Sequence, residues 1–193
     1  MPFDLLKIAT YFFNMPRLFI AINFKPSIIE AIQNICFGIK NARWVPEEQM
    51  HLTLRFLGNC DGKQFNDILD ALKQVNVNNF SLSPESVGYF PPRRNPRVLW
   101  VGIRHSPELN ALRKSIDKNL SSIGIPQERK KFHPHITVAR MRDNTPPSAI
   151  IPFLTQNNLF KTDSSFVKEF YLYSSVLRQE GALHRIEETY PLL

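Results

Sequence analysis

The sequence predicts an α+β fold built as two pseudo-symmetric lobes, each with a mainly antiparallel sheet and outer helices, with an active-site cleft between them. Three observations carry that expectation. The periods run strand–helix–strand–helix, then strands, then helix–strand–helix and strands again, which is not the strict alternation of a doubly wound parallel sheet. A helix followed by a strand containing His-apolar-Thr-apolar occurs twice, at His51 and His135, 84 residues apart in a chain of 193. The chain has 43% hydrophobic residues and 15 Phe, enough for a core, while its seven glycines are too dispersed to form a phosphate-binding loop.

The elements follow in order. Arg17 to Asn23 is a short β-rich run, and Pro26-Ser27 opens a helical pattern in which Ile28, Ile29, Ile32, Ile35, Cys36 and Ile39 share a face. Met50 to Leu57 alternates as a strand and stops at Gly58; Asp61 then caps a helix with Phe65, Ile68, Leu69 and Leu72 on its buried side. Strands are expected over Phe80–Leu82, Ser86–Phe90 and Arg97–Arg104, with a Pro- and Arg-rich loop from Pro91 to Pro96. Ser106-Pro107 starts a helix through Leu109, Leu112, Ile116 and Leu120 that ends at Gly124. Ile136–Arg140 is a strand and Pro147–Leu154 a short helix. Phe166–Leu177 and His184–Tyr190 are closing strands joined by a turn around Glu180-Gly181.

The charge balance is basic, +7 with a pI near 9.6. A basic surface favours a polyanionic partner, because phosphate contacts dominate nucleic-acid affinity. The cations cluster as Arg93, Arg94 and Arg97, as Arg129, Lys130 and Lys131, and as Arg140 and Arg142. Cys36 and Cys60 belong to no metal or redox spacing, which fits a reducing cytoplasm. Residues 1–14 read as an extension ahead of a domain spanning 15–193. They are interrupted by Lys7 and too short to span a bilayer, and Met15 is the expected native start.

The motifs are His51-Leu52-Thr53-Leu54 and His135-Ile136-Thr137-Val138. In a strand, residues i and i+2 share a face, so each His and its Thr point one way while the apolar pair points into the core. A single copy reads as a half-buried strand histidine; two copies, one per half, point to chemistry. A neutral imidazole takes a proton from water while an imidazolium protonates a departing oxygen, and the hydroxyls hold the non-bridging phosphate oxygens. A metal centre would need third and fourth ligands, and no Asp, Glu or Cys stands at a convincing spacing, so no cofactor is expected. Arg55 shares parity with His51 and either reaches the cleft or pairs on the sheet. Arg140 has the opposite parity to His135 and needs a bulge or a long reach. Phe132 either stacks a base or packs in the ordinary way. His133 either helps bind phosphate or takes a surface or loop role, while His105 and His184 read as structural or solvated residues.

With MPRLFIAI, HLTLRFLG, VGYFPPRRNPRVLWVGI and FHPHITVAR in this order, the chain from Met15 to Leu193 resembles the RNA 2′,3′-cyclic phosphodiesterases. These were first described as 2′-5′ RNA ligases and belong to the two-histidine phosphoesterase superfamily. The resemblance implies a bilobal fold and metal-free opening of a terminal 2′,3′-cyclic phosphate to a 2′-phosphate. It makes His51 the acid for the 3′ oxygen and His135 the base for water, with Thr53, Thr137 and Arg140 on the phosphate. RNA with cyclic phosphate ends or small cyclic nucleotides are the expected partners, and a monomer without membrane attachment is expected. The family's closing hairpin usually carries an aromatic residue near the place of His184, and the N-terminal extension is foreign to it. Two other readings remain open: 2′-5′ ligation of tRNA halves, and a non-catalytic module that binds RNA ends.

Overall fold

The computed structural model describes residues 17–193 apart from 41, 143, 179 and 180. The expected extension, the start at Met15 and the Glu180 part of the closing turn lie outside the described residues. Strand β1 (Arg17–Ile22) leads to α1 (Pro26–Gln33), β2 (Ala42–Trp44), a 3₁₀ turn at Glu47–Gln49, β3 (Leu52–Asn59), α2 (Gly62–Leu72), β4 (Phe80–Leu82) and β5 (Pro84–Phe90). The second half repeats the order without a counterpart of β2, as β6 (Val98–Ile103), α3 (Pro107–Ser122), β7 (His135–Met141), α4 (Ile151–Gln156), β8 (Ser165–Val167) and β9 (Glu169–Arg178), and adds β10 (Gly181–Pro191).

Local chemistry explains where the helices start and stop. Asp61 accepts from the Gln64 amide at 2.8 Å while the Gln64 side chain accepts from the Asp61 amide, a reciprocal capping box for α2. Ser106 caps α3 through the Leu109 amide at 3.0 Å, and Gly124 ends the segment in the left-handed region at φ 85°. Helix α1 stops at Gln33 instead of continuing through Ile39. Asn34 caps it, Gly38 adopts φ 85°, and Ile39 reaches the core from irregular chain. Burial at helical spacing had mimicked another turn.

The ladders between the described strands are antiparallel, and the main sheet runs β10-β9-β1-β3-β7-β6-β5, with β2 also on β7. Among the described residues β3 and β7 meet at one pair, Leu52↔Ile136, so the lobes splay from that point. Each lobe takes its outer strand from the other half of the sequence. Strand β5 pairs with β6, β9 pairs with β1, and the chain crosses over through β4 and β8, which pair with each other. The expected single strand Phe166–Leu177 is therefore two: β8 belongs to the crossover and β9 to the main sheet. Helices cover the core face with Ile28, Ile32, Ile68, Leu72, Leu112 and Ile116, all nearly inaccessible. No helix among the described residues is long and apolar enough to cross a membrane.

Candidate active site

The motif strands touch at their beginnings. Carrying the Leu52↔Ile136 register one residue either way sets His51 opposite Thr137 and Thr53 opposite His135, on the face away from the core. Leu52, Leu54, Ile136 and Val138 are buried at 2% or less, as the alternation requires.

Both strands then break alternation at the same place. On β3, Thr53 pairs with Ala21 and Arg55 with Ile20, leaving Leu54 as an extra residue; on β7, Thr137 pairs with Trp100 and Ala139 with Leu99, leaving Val138 extra. Each is a β-bulge that turns the following residues over. Arg140 thereby comes to the groove face, exposed, and acts electrostatically on His51, His135 and His184. Arg55 is turned the other way. It is buried against Asp117 and Glu128, 3.6 Å from each, and donates to the Pro126 carbonyl. Its shared parity with His51 therefore does not bring it to the cleft.

Each histidine is held from behind by the same device. Nδ1 of His135 lies 2.6 Å from the His133 carbonyl, and a ring N–H of His51 donates to the carbonyl of Gln49, again two residues upstream. A carbonyl only accepts, so the bonded ring nitrogen carries a proton and the other one is left to face the groove. Gln49 is tied in turn to β10, its Nε2 donating to the Ala182 carbonyl at 3.1 Å.

Aromatic rings wall both sides. His51 stacks on Phe19 at 4.9 Å, and Phe19 stacks on Tyr173 at 5.0 Å. His184 stands edge-on to His51 at 5.3 Å with its Nδ1 buried and unpartnered. Across the groove Phe90 and Trp100 lie 5.0 and 6.5 Å from His135, and His133 packs edge-on to Trp100 at 4.9 Å. Gly88 is required here, because Trp100 lies across it and a Cβ would come within 2.2 Å of the ring. His184 and His133 are thus part of the site. From the sequence His133 is only an alternative phosphate contact and His184 carries no signal, being delivered by the β10–β9–β1 pairing. Phe132 is a correction: its ring packs against the core with the Arg113 guanidinium 4.4 Å from its centre, so it does not offer a stacking face in the groove.

Burial disfavours charge on the imidazoles. It pushes His51 down to about 4, with His184, Arg140 and His135 adding repulsion and the Gln49 carbonyl opposing. His135 is lowered by burial, with the His133 carbonyl opposing, and His184 by burial and then Arg140. Among the described residues no group of three or more His, Cys, Asp or Glu is placed to hold a metal ion.

Known proteins match along nearly the whole chain. The family described as LigT like Phosphoesterase matches residues 22–100 and again 101–184, one match per half. The chain is 31% identical to the RNA 2′,3′-cyclic phosphodiesterase of Archaeoglobus fulgidus over 172 residues, 88% of this chain and 96% of that protein. It is 33% identical to the protein of the same name from Thermotoga maritima over 161 residues, 82% of each. The crystal structure of E. coli LigT complexed with 3′-AMP superposes with a TM-score of 0.74 at 26% identity, covering 92% of this chain and 98% of that one. TT0787 of Thermus thermophilus shares the fold, with a TM-score of 0.76 at 24% identity and coverage of 91% and 97%.

Proposed function

The chain belongs to the LigT-like phosphoesterase family, and on that premise we propose that it hydrolyses RNA 2′,3′-cyclic phosphodiester ends to 2′-phosphomonoesters, with His51 and His135 as the acid–base pair. The observation that carries the chemistry is the duplicated backing of the two imidazoles by upstream carbonyls. Each ring keeps one nitrogen for the phosphate. In the neutral form that nitrogen accepts a proton, and in the charged form it donates one.

The reaction consumes one water. Its oxygen bonds to phosphorus as a neutral imidazole, His135 by the family resemblance, takes its proton. The bond from phosphorus to O3′ breaks and the His51 imidazolium protonates that oxygen. Thr53 and Thr137 donate to the non-bridging oxygens, and the Arg140 charge balances the negative charge growing there. Burial leaves His51 uncharged near neutrality in the free protein, so the acid role requires the bound phosphate to recharge it. Two free thiols are in keeping with a cytosolic site of action.

The test is incubation, with chelator present, of an oligoribonucleotide ending in a 2′,3′-cyclic phosphate. The expected product has a 2′-phosphate, and His51→Ala and His135→Ala each lower the rate by about 10²–10⁴-fold while RNA binding survives. A 3′-phosphate product would reverse the leaving group. Turnover that survives both substitutions would refute the assignment, and RNA binding with no turnover in the unaltered protein would favour a binding module.

A further inference from the structure

The groove holds more imidazole than an acid–base pair uses. On the first lobe Phe19, His51, Tyr173 and His184 close into a four-ring cluster, with His184 5.0 Å from Phe19 and 5.3 Å from His51. On the second, His133 joins Phe90, Trp100 and His135 in a cluster of the same make-up. Duplication does not account for the match. His133 stands two residues before His135, where the first half has Gln49, and His184 comes from β10, the strand outside the repeat. Packing does not account for His184 either. A phenylalanine would complete its cluster without a polar atom, whereas the imidazole buries Nδ1 with no partner. An unmatched buried polar atom costs stability, so what His184 contributes lies at its other nitrogen.

The ring is half-buried, with Nδ1 inside and Nε2 left as the nitrogen open to the groove. Burial, and then the Arg140 charge, hold it below the ordinary imidazole range, so at about pH 7 it is neutral and carries one N–H. A buried N–H without an acceptor is rarer than an unmatched acceptor, which assigns the hydrogen to Nε2. The neutral motif histidines are the reverse. Backed by carbonyls, His51 and His135 turn an acceptor nitrogen to the groove. The ionised non-bridging oxygens of a phosphate only accept, and the His51 and His184 rings, edge-on at 5.3 Å, are near enough to meet one phosphate together. Resting on the hydrolase reading, we propose that His184 is a further substrate-binding residue, its Nε2–H donating to a non-bridging oxygen of the phosphate that His51 faces. Unlike the His51 imidazolium, it donates without first taking up a proton.

The experiment sets His184→Phe, which keeps a ring in the cluster and removes the donor, against His184→Gln, which removes the ring and keeps an N–H near the place of Nε2. Calorimetry reads the affinity for inorganic phosphate at about pH 7, and kinetics on adenosine 2′,3′-cyclic phosphate read kcat and KM. His184→Phe should weaken phosphate binding and lower kcat/KM by about tenfold or more, the worth of one hydrogen bond to a charged group. His184→Gln should recover most of that loss. Imidazole ¹⁵N spectra of the unaltered protein, with the His184 signal identified by its absence from the Gln variant, should place the proton on Nε2 and shift when phosphate is added. This readout needs no stable Phe variant. A Phe variant that binds phosphate normally, a Gln variant as weak as the Phe variant, or a His184 proton found on Nδ1 would each overturn the assignment and leave the hydrolase reading standing. Loss of turnover in both variants with phosphate affinity unchanged also overturns it, since His184 would then act on the placement of His51 and not on the anion. No turnover by the unaltered protein refutes the hydrolase reading, and this inference falls with it.

Discussion

Filling the groove with a small dianion probes its electrostatics directly. In the free protein burial takes His51 from its ordinary 6.5 to about 4, with repulsion from His184 and Arg140 added. An anion held between the motif residues favours the imidazolium and moves the value back up. Sulfate is a clean probe, because its own charge is constant from about pH 4.5 to about pH 7.5. A ligand that raises a pKa takes up a proton on binding. Its affinity therefore grows as pH falls between the bound and free values, and levels off above the bound one. If sulfate restores only the ordinary value of His51, it should bind roughly 70-fold more tightly at about pH 4.5 than at about pH 7.5, a difference of about 2.5 kcal/mol. Titration calorimetry in two buffers of different ionisation enthalpy reads both the affinity and the proton uptake. Proton uptake should fall in His51→Gln. A flat affinity across the window, or uptake that this substitution leaves unchanged, would refute the picture of a burial-neutralised His51 facing the anion.

Gly88→Ala should cost about 1–3 kcal/mol in urea unfolding, because the new Cβ meets the Trp100 ring at 2.2 Å. It should also lower turnover by displacing the ring that packs on His133 beside His135; a variant as stable and as active as the unaltered protein would contradict that packing. Cys36, whose thiol donates to the Ile32 carbonyl and is pushed up to about 12, should resist alkylation at about pH 8, where roughly one molecule in 10⁴ carries the thiolate. Mass spectrometry of iodoacetamide-treated native protein checks this, and rapid modification of Cys36 would refute it.

What the sequence revealed and what it hid divide along physical lines. Helix α3 was legible because its cap, its proline and its apolar residues Leu109, Leu112, Ile116 and Leu120 are all local signals. The two histidine strands were legible because their pattern is local and occurs twice. Strand β2 was not, since its pairing with β7 is a tertiary contact with no local signal. The exchange of β5 and β9 between lobes was hidden because pairing partners are chosen by tertiary packing. Phe132 looked available for stacking only because sequence gives proximity to His135 without direction. Its ring lies instead beside Arg113 of α3.

Direction is also where the bulges matter, and they yield a pair of opposed predictions. Simple alternation sends Arg55 to the cleft and Arg140 to the core; the extra residues Leu54 and Val138 reverse both. Arg140→Ala removes an exposed side chain, so stability should stay within about 0.5 kcal/mol. Turnover should fall on the order of 10²-fold, as when one charged donor to a developing oxyanion is lost. Arg55→Ala leaves Asp117 and Glu128 with Arg113 alone and removes a buried donor to the Pro126 carbonyl, and should cost about 1–3 kcal/mol in urea unfolding. At a temperature where that variant remains folded, its kcat should be close to normal, because Arg55 faces the helix and not the phosphate. The two variants therefore separate stability from chemistry in opposite senses. If Arg55→Ala loses turnover while staying stable, or Arg140→Ala unfolds, the strands alternate without bulges and a different set of residues lines the groove.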